Sequence, residues 1–416
     1  MANFAGQKVI KMKFLMYPEF KAQLNELNFQ EDPFPLYGRI FDDFTVFHLV
    51  EISSTSDTVK QIGYISLENT NPNFSLKFPF INLILDSKTL KIAKIEIFEK
   101  EEIITVVQDF AIEMIDLNRL FVRIDQEETP LKILREKKVA IIGMGSGGSL
   151  LALYLAKTGI KKFIFIDNDY LEVHNIIRHI SDLGHLGRYK TRAVKDYIHA
   201  RIPGTEITTV EKKFVLQTKA DAVYFLDLFT DIDLLIAVSG EHDVNFAIND
   251  FIHTNDLKFP VIYAGTFDGV KGGLLFKVDP RKDDLCYHCV YADSLAYPLT
   301  DGGTKGSIPT TNELEKKIVY DRSMQEQLAQ PGLGLDIDNL TILLSKFCLA
   351  TLLEGHEHRL YHFPFNFYLW YNRNIMKPNT EIINFEGLEL VYYEDLEKDK
   401  GCPFHGPNLE KKTEEV

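Results

Sequence analysis

The stretch "KVAIIGMGSGGSLLALYLAKTGIKKFIFIDNDYLEVHNIIRH", Lys138–His179, sets the architecture of this chain. "VAIIG" is an apolar run without alternation, the pattern of a strand covered on both faces. Gly143, Gly145 and Gly148 follow at G-x-G-x-x-G spacing, "SLLALYLAKTGI" reads as a helix, and "KFIFIDND" as a second buried strand. In such a unit, backbone amides at a helix N-terminus approach phosphates. Working outward, "DLLIAVS", "PVIYAGTF" and "GGLLFKVDP" are further apolar strands, and "TRAVKDYIHARIP" is a helix that Pro203 stops. Alternating strands and helices predict an α/β, Rossmann-like, doubly wound and mostly parallel sheet.

The glycine turn alone fits NAD, FAD or no ligand at all. Asp167, at the end of the second strand, stands where an acid would meet a ribose. The residues after it discriminate. Asp169, Asn175, Arg178 and, after Gly187, Lys190 follow in order. Hydride transfer needs a nicotinamide pocket, not converging cations. Cleavage of ATP between its α- and β-phosphates needs cations, because charge builds on those oxygens in the transition state. Taken singly, each of these residues also fits a solvated surface charge.

As an ordered set, the glycine turn, Asp167-x-Asp169, Asn175-x-x-Arg178 and Gly187 followed by Lys190 resemble the ThiF/MoeB superfamily. That superfamily includes ubiquitin-activating enzymes and microcin-type peptide adenylating enzymes, and the resemblance covers about residues 115–406. It implies ATP as the nucleotide, with Asp167 on the ribose and Asn175, Arg178 and Lys190 on phosphates. It also implies an acid after the fourth strand that helps hold Mg²⁺. Here "AVSGEHDVNFAIND" offers Glu241 or Asp243, and a helix N-cap acid is the competing role. An arginine ahead of the glycine-turn strand reaches a partner subunit's nucleotide in the family. Arg119 and Arg123 are the candidates, which implies a homodimer.

Cys286 and Cys289 form C-x-x-C in "DDLCYHCVY", and Cys402 and His405 repeat the spacing in "GCPFHG". Two such pairs predict a tetrahedral Cys₃His zinc site, closed and therefore structural. A redox-active or merely buried first pair is the alternative. The remaining thiol, Cys348, lies in the apolar helix "LLSKFCLATLL" and reads as a small hydrophobe. Ubiquitin-activating enzymes carry a thioester cysteine in a crossover segment. The corresponding region here, about 293–336, holds no cysteine, only hydroxyls such as Ser294, Ser307, Thr310 and Thr311.

Composition narrows the classes. The chain has 416 residues and a formal charge of −14, which disfavours a nucleic-acid partner. It has no long apolar run for a membrane span, and "MANFAGQKVIKMKFLMYPEF" lacks the apolar core and cleavage pattern expected of a secretory leader. Four cysteines fit a reducing cytoplasm. Residues 1–115 read as a smaller α+β domain, and residues 116–416 as the adenylation domain with its zinc-binding end. "YGRIFDDFTVFHLVEIS" and the strands after it resemble JAB-type deubiquitinase domains, but the H-x-H of that family is missing. This implies a catalytically dead binding module; a private recognition or dimerisation domain is the alternative. The expected activity is adenylation of the C-terminal carboxylate of a small ubiquitin-like or sulfur-carrier protein, with the acyl group passed to a partner. The alternatives are a microcin-type peptide adenylating enzyme, an NAD(P) or FAD oxidoreductase, and a scaffold that binds a ubiquitin-like protein without catalysis.

Overall fold

The computed structural model describes residues 12–26, 34–41, 46–51, 60–67, 80–85, 92–99, 102–106, 110–124, 130–267, 270, 272–282, 285–292, 332–372, 375–376, 382–383, 389–392 and 398–405. The chain divides into two compact units, Met1–Leu120 and Phe121–Val416. The expected division lay at 115/116. Among the described residues no helix is long and apolar enough to cross a membrane. Most of the expected crossover segment, 293–331, lies outside the described residues, and so do Ser294, Ser307, Thr310 and Thr311.

The first unit contains β1 (Met12–Met16), α1 (Pro18–Glu26), β2 (Phe34–Phe41), β3 (Val46–Glu51), β4 (Lys60–Leu67), β5 (Phe80–Leu85), β6 (Ile92–Glu99), β7 (Glu102–Val106) and β8 (Phe110–Met114). The strands form one mixed sheet of order β7-β6-β5-β4-β2-β3-β1-β8. Phe14, Phe20, Leu36, Leu49, Ile65 and Ile95 are fully buried in this unit.

The second unit begins with α2 (Leu131–Glu136), β9 (Lys138–Ile142), α3 (Ser146–Lys157) and β10 (Lys162–Ile166). It continues through α4 (Lys190–Arg201), β11 (Glu206–Val210), α5 (Lys219–Leu228), β12 (Leu234–Ala237), α6 (His242–Thr254), β13 (Val261–Thr266), β14 (Gly272–Val278) and α7 (Tyr287–Ala292). It ends with α8 (Gly334–Leu352), β15 (Phe367–Tyr371), β16 (Ile375–Met376), β17 (Ile382–Ile383) and β18 (Glu389–Tyr392). The sheet order is β11-β10-β9-β12-β13-β14-β15-β18. From β11 to β13 the pairing is parallel, and β14, β15 and β18 continue it antiparallel.

The apolar strand runs have a direct packing reason. Val139 and Ile141 of β9 join one core cluster with Leu151 and Leu155 of α3 and Phe347 of α8. Ala140 and Ile142, facing the other way, join a second cluster with Ile248 and Phe251 of α6. Both faces are covered, so neither register position can be polar. Each fully buried Leu, Ile or Phe contributes roughly 1.5–3 kcal/mol of transfer free energy.

The strand order also contains a topological switch point. The chain winds from β9 outward through β10 to β11, then crosses back to β12 on the other side of β9. The order reverses between β9 and β12, and in such sheets ligands bind outside the C-terminal strand ends at that point.

Candidate functional site

The glycine turn follows β9 at this reversal. Gly143 N–H donates to Ile166 O at the end of β10 (2.9 Å), and Val238 N–H donates to Ile142 O (2.9 Å). Gly143 has φ +100°, and a Cβ there would stand 2.8 Å from backbone atoms of Val238 and Ser239. Only glycine accommodates both the dihedral and the approach. At Gly148 a Cβ would stand 1.9 Å from the Gly143 carbonyl oxygen, so the third glycine lets α3 close onto the turn. Gly145 caps α3 and faces open space, for a Cβ there would meet nothing within 4 Å.

Asp167 has an occupation that its sequence position did not reveal. Its Oδ2 accepts from Met144 N–H (2.6 Å) and its Oδ1 from Asp169 N–H (2.8 Å). The carboxylate thereby braces the glycine turn against the end of β10. Burial pushes its pKa up, while Lys190 and the two amides oppose the shift.

Lys190 opens α4 and is 5% exposed. Its Nζ donates to Asp169 Oδ2 (2.9 Å), and its N–H donates to Asp169 O (2.9 Å). The second acid of D-x-D therefore holds the lysine at the strand ends. A buried ammonium needs such a partner, because desolvation of an unpaired charge is costly.

The loop between them carries Asn175 and Arg178. Its base is closed: Tyr170 and Tyr189 stack with centroids 4.2 Å apart and share an OH–OH hydrogen bond of 2.7 Å. Leu171 N–H donates to Arg188 O, and Gly187 N–H returns to Leu171 O. Inside the loop, Asn175 Oδ1 accepts from Glu172 N–H (3.0 Å), and Arg178 N–H donates to Asn175 O (2.9 Å). Asn175 thus shapes the turn that presents Arg178. The Arg178 side chain runs beside the start of α8: a Cβ at Gly332 would lie 3.7 Å from its Nη1.

Glu241 and Asp243 stand after β12. Glu241 occupies the N-cap position of α6 without a side-chain cap bond, and its carboxylate pairs with Lys213. Asp243 lies in the first turn of α6. Arg119 and Arg123 are exposed; Arg119 belongs to the first compact unit and Arg123 to the second.

Sequence reasoning overlooked His179. It is buried, its Nε2 lies 3.0 Å from Met144 O, and its Nδ1 accepts from Ser181 N–H (3.1 Å). The only sequence signal was its place directly after Arg178.

The two C-x-x-C/H pairs come together although 116 positions separate Cys286 from Cys402. Cys286 Sγ lies 3.8 Å from Cys289 Sγ and 3.4 Å from Cys402 Sγ. His405 Nδ1 lies 3.4 Å from Cys289 Sγ and 3.6 Å from Cys402 Sγ. All four ligand atoms fall within 4.8 Å of one another. A tetrahedral zinc with Zn–S of about 2.3 Å and Zn–N of about 2.0–2.1 Å requires edges of roughly 3.8 Å (S···S) and 3.5–3.6 Å (S···N). The donor set and its spacing fit that geometry. A hydrogen bond from Cys286 draws the Cys289 thiol well below its usual range, toward the thiolate that a metal ligand must be. The His253 ring stacks on Phe404 and meets His405 edge-on, walling the cluster. Cys348, by contrast, is fully buried in α8, and burial pushes its thiol pKa up.

The chain is similar to several known proteins. Ubiquitin-like modifier-activating enzyme 5 of Caenorhabditis elegans is 27% identical over 195 residues, 43% of this chain and 44% of that protein. The sulfur carrier protein ThiS adenylyltransferase of Escherichia coli is 26% identical over 162 residues, 39% of this chain and 61% of that one. The chain thus spans about half the length of these curated relatives. A crystal structure of PaaA aligns with a TM-score of 0.46 at 17% identity, over 66% of this chain and 81% of PaaA. A family model matches residues 116–378, more than half of the sequence and inclusive of the glycine turn, Asp167, Arg178 and Lys190; the chain is a member of the ThiF family.

Proposed function

We propose that the chain is an ATP-dependent adenylating enzyme acting on the C-terminal carboxylate of a small ubiquitin-like or sulfur-carrier protein. The observation that carries this reading is the grouping, at one sheet reversal, of an open helix N-terminus with a buried lysine and an arginine loop. The names of the C. elegans and E. coli relatives point to the same chemistry.

In this mechanism a carboxylate oxygen attacks the α-phosphorus of ATP. A new carbon–oxygen–phosphorus linkage forms as the bond from the α-phosphorus to the bridging oxygen breaks. Pyrophosphate leaves with the electron pair. The amides at the start of α3 bind phosphate oxygens. Lys190 and Arg178 stabilise the charge that develops on them, in a site shaped before the substrate arrives. Asp167 holds the turn and meets the ribose with its remaining acceptor capacity. Asp243, or Glu241 released from Lys213, would hold Mg²⁺, which shields the phosphates when bound. Zinc on Cys286, Cys289, Cys402 and His405 would tie the 286–289 segment to the 402–405 turn. Arg119 or Arg123 serves the nucleotide of a second copy in a homodimer. The buried state of Cys348 directs the activated acyl group to an acceptor on another protein.

The test is ATP–pyrophosphate exchange with a panel of small carrier proteins ending in glycine and one short peptide ending in a free carboxylate. Wild type should exchange with a carrier protein, and Arg178→Ala should lose about a hundredfold or more. Exchange with the peptide alone would move the substrate to the microcin-type class. Tight NADH or FAD binding without exchange overturns the proposal in favour of an oxidoreductase. Carrier binding with neither nucleotide binding nor turnover overturns it in favour of a scaffold.

A further inference from the structure

We infer that His179 is a positioning residue that aims the Gly145 N–H of the glycine turn at a phosphate of the bound nucleotide. The inference deepens the adenylation reading and rests on it only for the identity of that nucleotide.

The ring's proton can be placed from its neighbours. Ser181 N–H donates to His179 Nδ1 (3.1 Å), so Nδ1 carries a lone pair. The proton of the neutral ring must then sit on Nε2, which lies 3.0 Å from Met144 O and donates to it. An imidazolium would set a second N–H against the Ser181 N–H. Burial, and the nearby charges of Lys190 and His185, favour the neutral form as well.

The peptide between Met144 and Gly145 is planar and trans, so its C=O and N–H point in opposite directions. Fixing the Met144 carbonyl toward His179 therefore directs the Gly145 N–H away from His179. The preceding amide has no such freedom, because Met144 N–H is committed to Asp167 Oδ2 (2.6 Å). Met144 is thus gripped at both poles, and Gly145 N–H is the next amide along the turn. A Cβ at Gly145 would meet nothing within 4 Å, so the backbone there leaves room for a ligand to approach.

The same ring couples the turn to the cations. His179 directly follows Arg178, and the loop base ends one residue before Lys190. The Met144–His179 bond therefore ties the glycine turn to the arginine loop. A phosphate held by Gly145 N–H then stays in register with Arg178.

Two substitutions divide the ring's two bonds. His179→Gln places an amide N–H near the Nε2 position and keeps the donor to Met144. His179→Asn places an oxygen near the Nδ1 position, keeps the acceptor for Ser181, and loses the donor. Each full-length variant is titrated calorimetrically with ATP and with adenosine, and its unfolding temperature is measured. We expect His179→Gln to bind ATP much as wild type does. His179→Asn should bind ATP about tenfold more weakly, the scale of one misaligned hydrogen bond to a charged group. Adenosine, which has no phosphate, should bind both variants and wild type alike. A general structural role would weaken adenosine as well, and that result overturns the inference, as does an unaltered ATP affinity in His179→Asn. If wild type takes NADH in place of ATP, the adenylation reading fails. The same comparison is then made with NADH, whose pyrophosphate would meet the same amide, and the inference stands or falls on the Asn variant. If wild type binds neither nucleotide, both fall.

Discussion

Two adjacent glycines should respond oppositely to the same added methyl group. In Gly148→Ala the new Cβ would stand 1.9 Å from the Gly143 carbonyl oxygen. Contacts below 3.0 Å are essentially never found, so the gap must open by at least 1.1 Å. The obstacle is backbone, and Gly143 is itself wedged against Val238 and Ser239. No flexible side chain can yield, which places the overpacking cost near the upper end of its usual range, about 3 kcal/mol. Alanine's better helix propensity returns up to about 1 kcal/mol, leaving a net loss of about 2 kcal/mol. For a unit as large as Phe121–Val416 that lowers the unfolding temperature by roughly 3 °C. In Gly147→Ala the nearest atom would be Thr341 Oγ1 at 3.5 Å, an ordinary contact. That variant should equal wild type or gain up to about 1 kcal/mol from propensity. Thermal unfolding followed by circular dichroism compares all three proteins. Equal midpoints for the two variants would refute the view that Gly148 serves closure of α3 onto the turn.

The Cys286, Cys289, Cys402 and His405 group predicts one zinc per chain in protein purified without chelators. Cys402→Ala should lose the metal and unfold at a lower temperature, because a closed zinc site contributes folding energy; metal-free wild type of undiminished stability would contradict this. Cys348→Ala should cost about 1 kcal/mol for the small buried volume removed and keep full pyrophosphate exchange. A reducing-agent-labile adduct that disappears in this variant would make Cys348 the acyl acceptor instead. His179 supplies a pH signature. Burial holds its folded pKa at about 4, below the ordinary histidine value of 6.5. Folding thus favours the neutral ring, whose contribution is complete above pH 6.5 and lost as pH falls through 4. The total is about 3 kcal/mol, the free-energy equivalent of that shift. Chemical denaturation from pH 7 to 4 should show the stability advantage of wild type over His179→Gln shrinking with acid; a constant difference would argue against a buried neutral ring.

Local pattern and spacing were legible along the chain. "VAIIG" and "KFIFI" lacked alternation because both faces of β9 and β10 are covered, so the parallel sheet could be read from a few residues. The glycine spacing was legible for a similar reason: Gly143 and Gly148 meet each other within one turn. The candidate metal ligands could be paired by their repeated C-x-x-C/H spacing, although only the fold brings Cys286 within 3.4 Å of Cys402. How the charged residues are used was settled by tertiary packing. Asp167 spends its carboxylate on the backbone of Met144 and Asp169, and Lys190 is held by Asp169, pairings set by how β10, the turn and α4 converge. Glu241 meets Lys213 for the same reason. His179 is the clearest case. A histidine after an arginine says nothing of its role, because its tautomer and its hold on Met144 depend on partners two and 35 positions away. Strand and helix periodicity is a property of neighbouring residues along the chain, whereas the protonation state and direction of a side chain depend on whatever the fold packs against it.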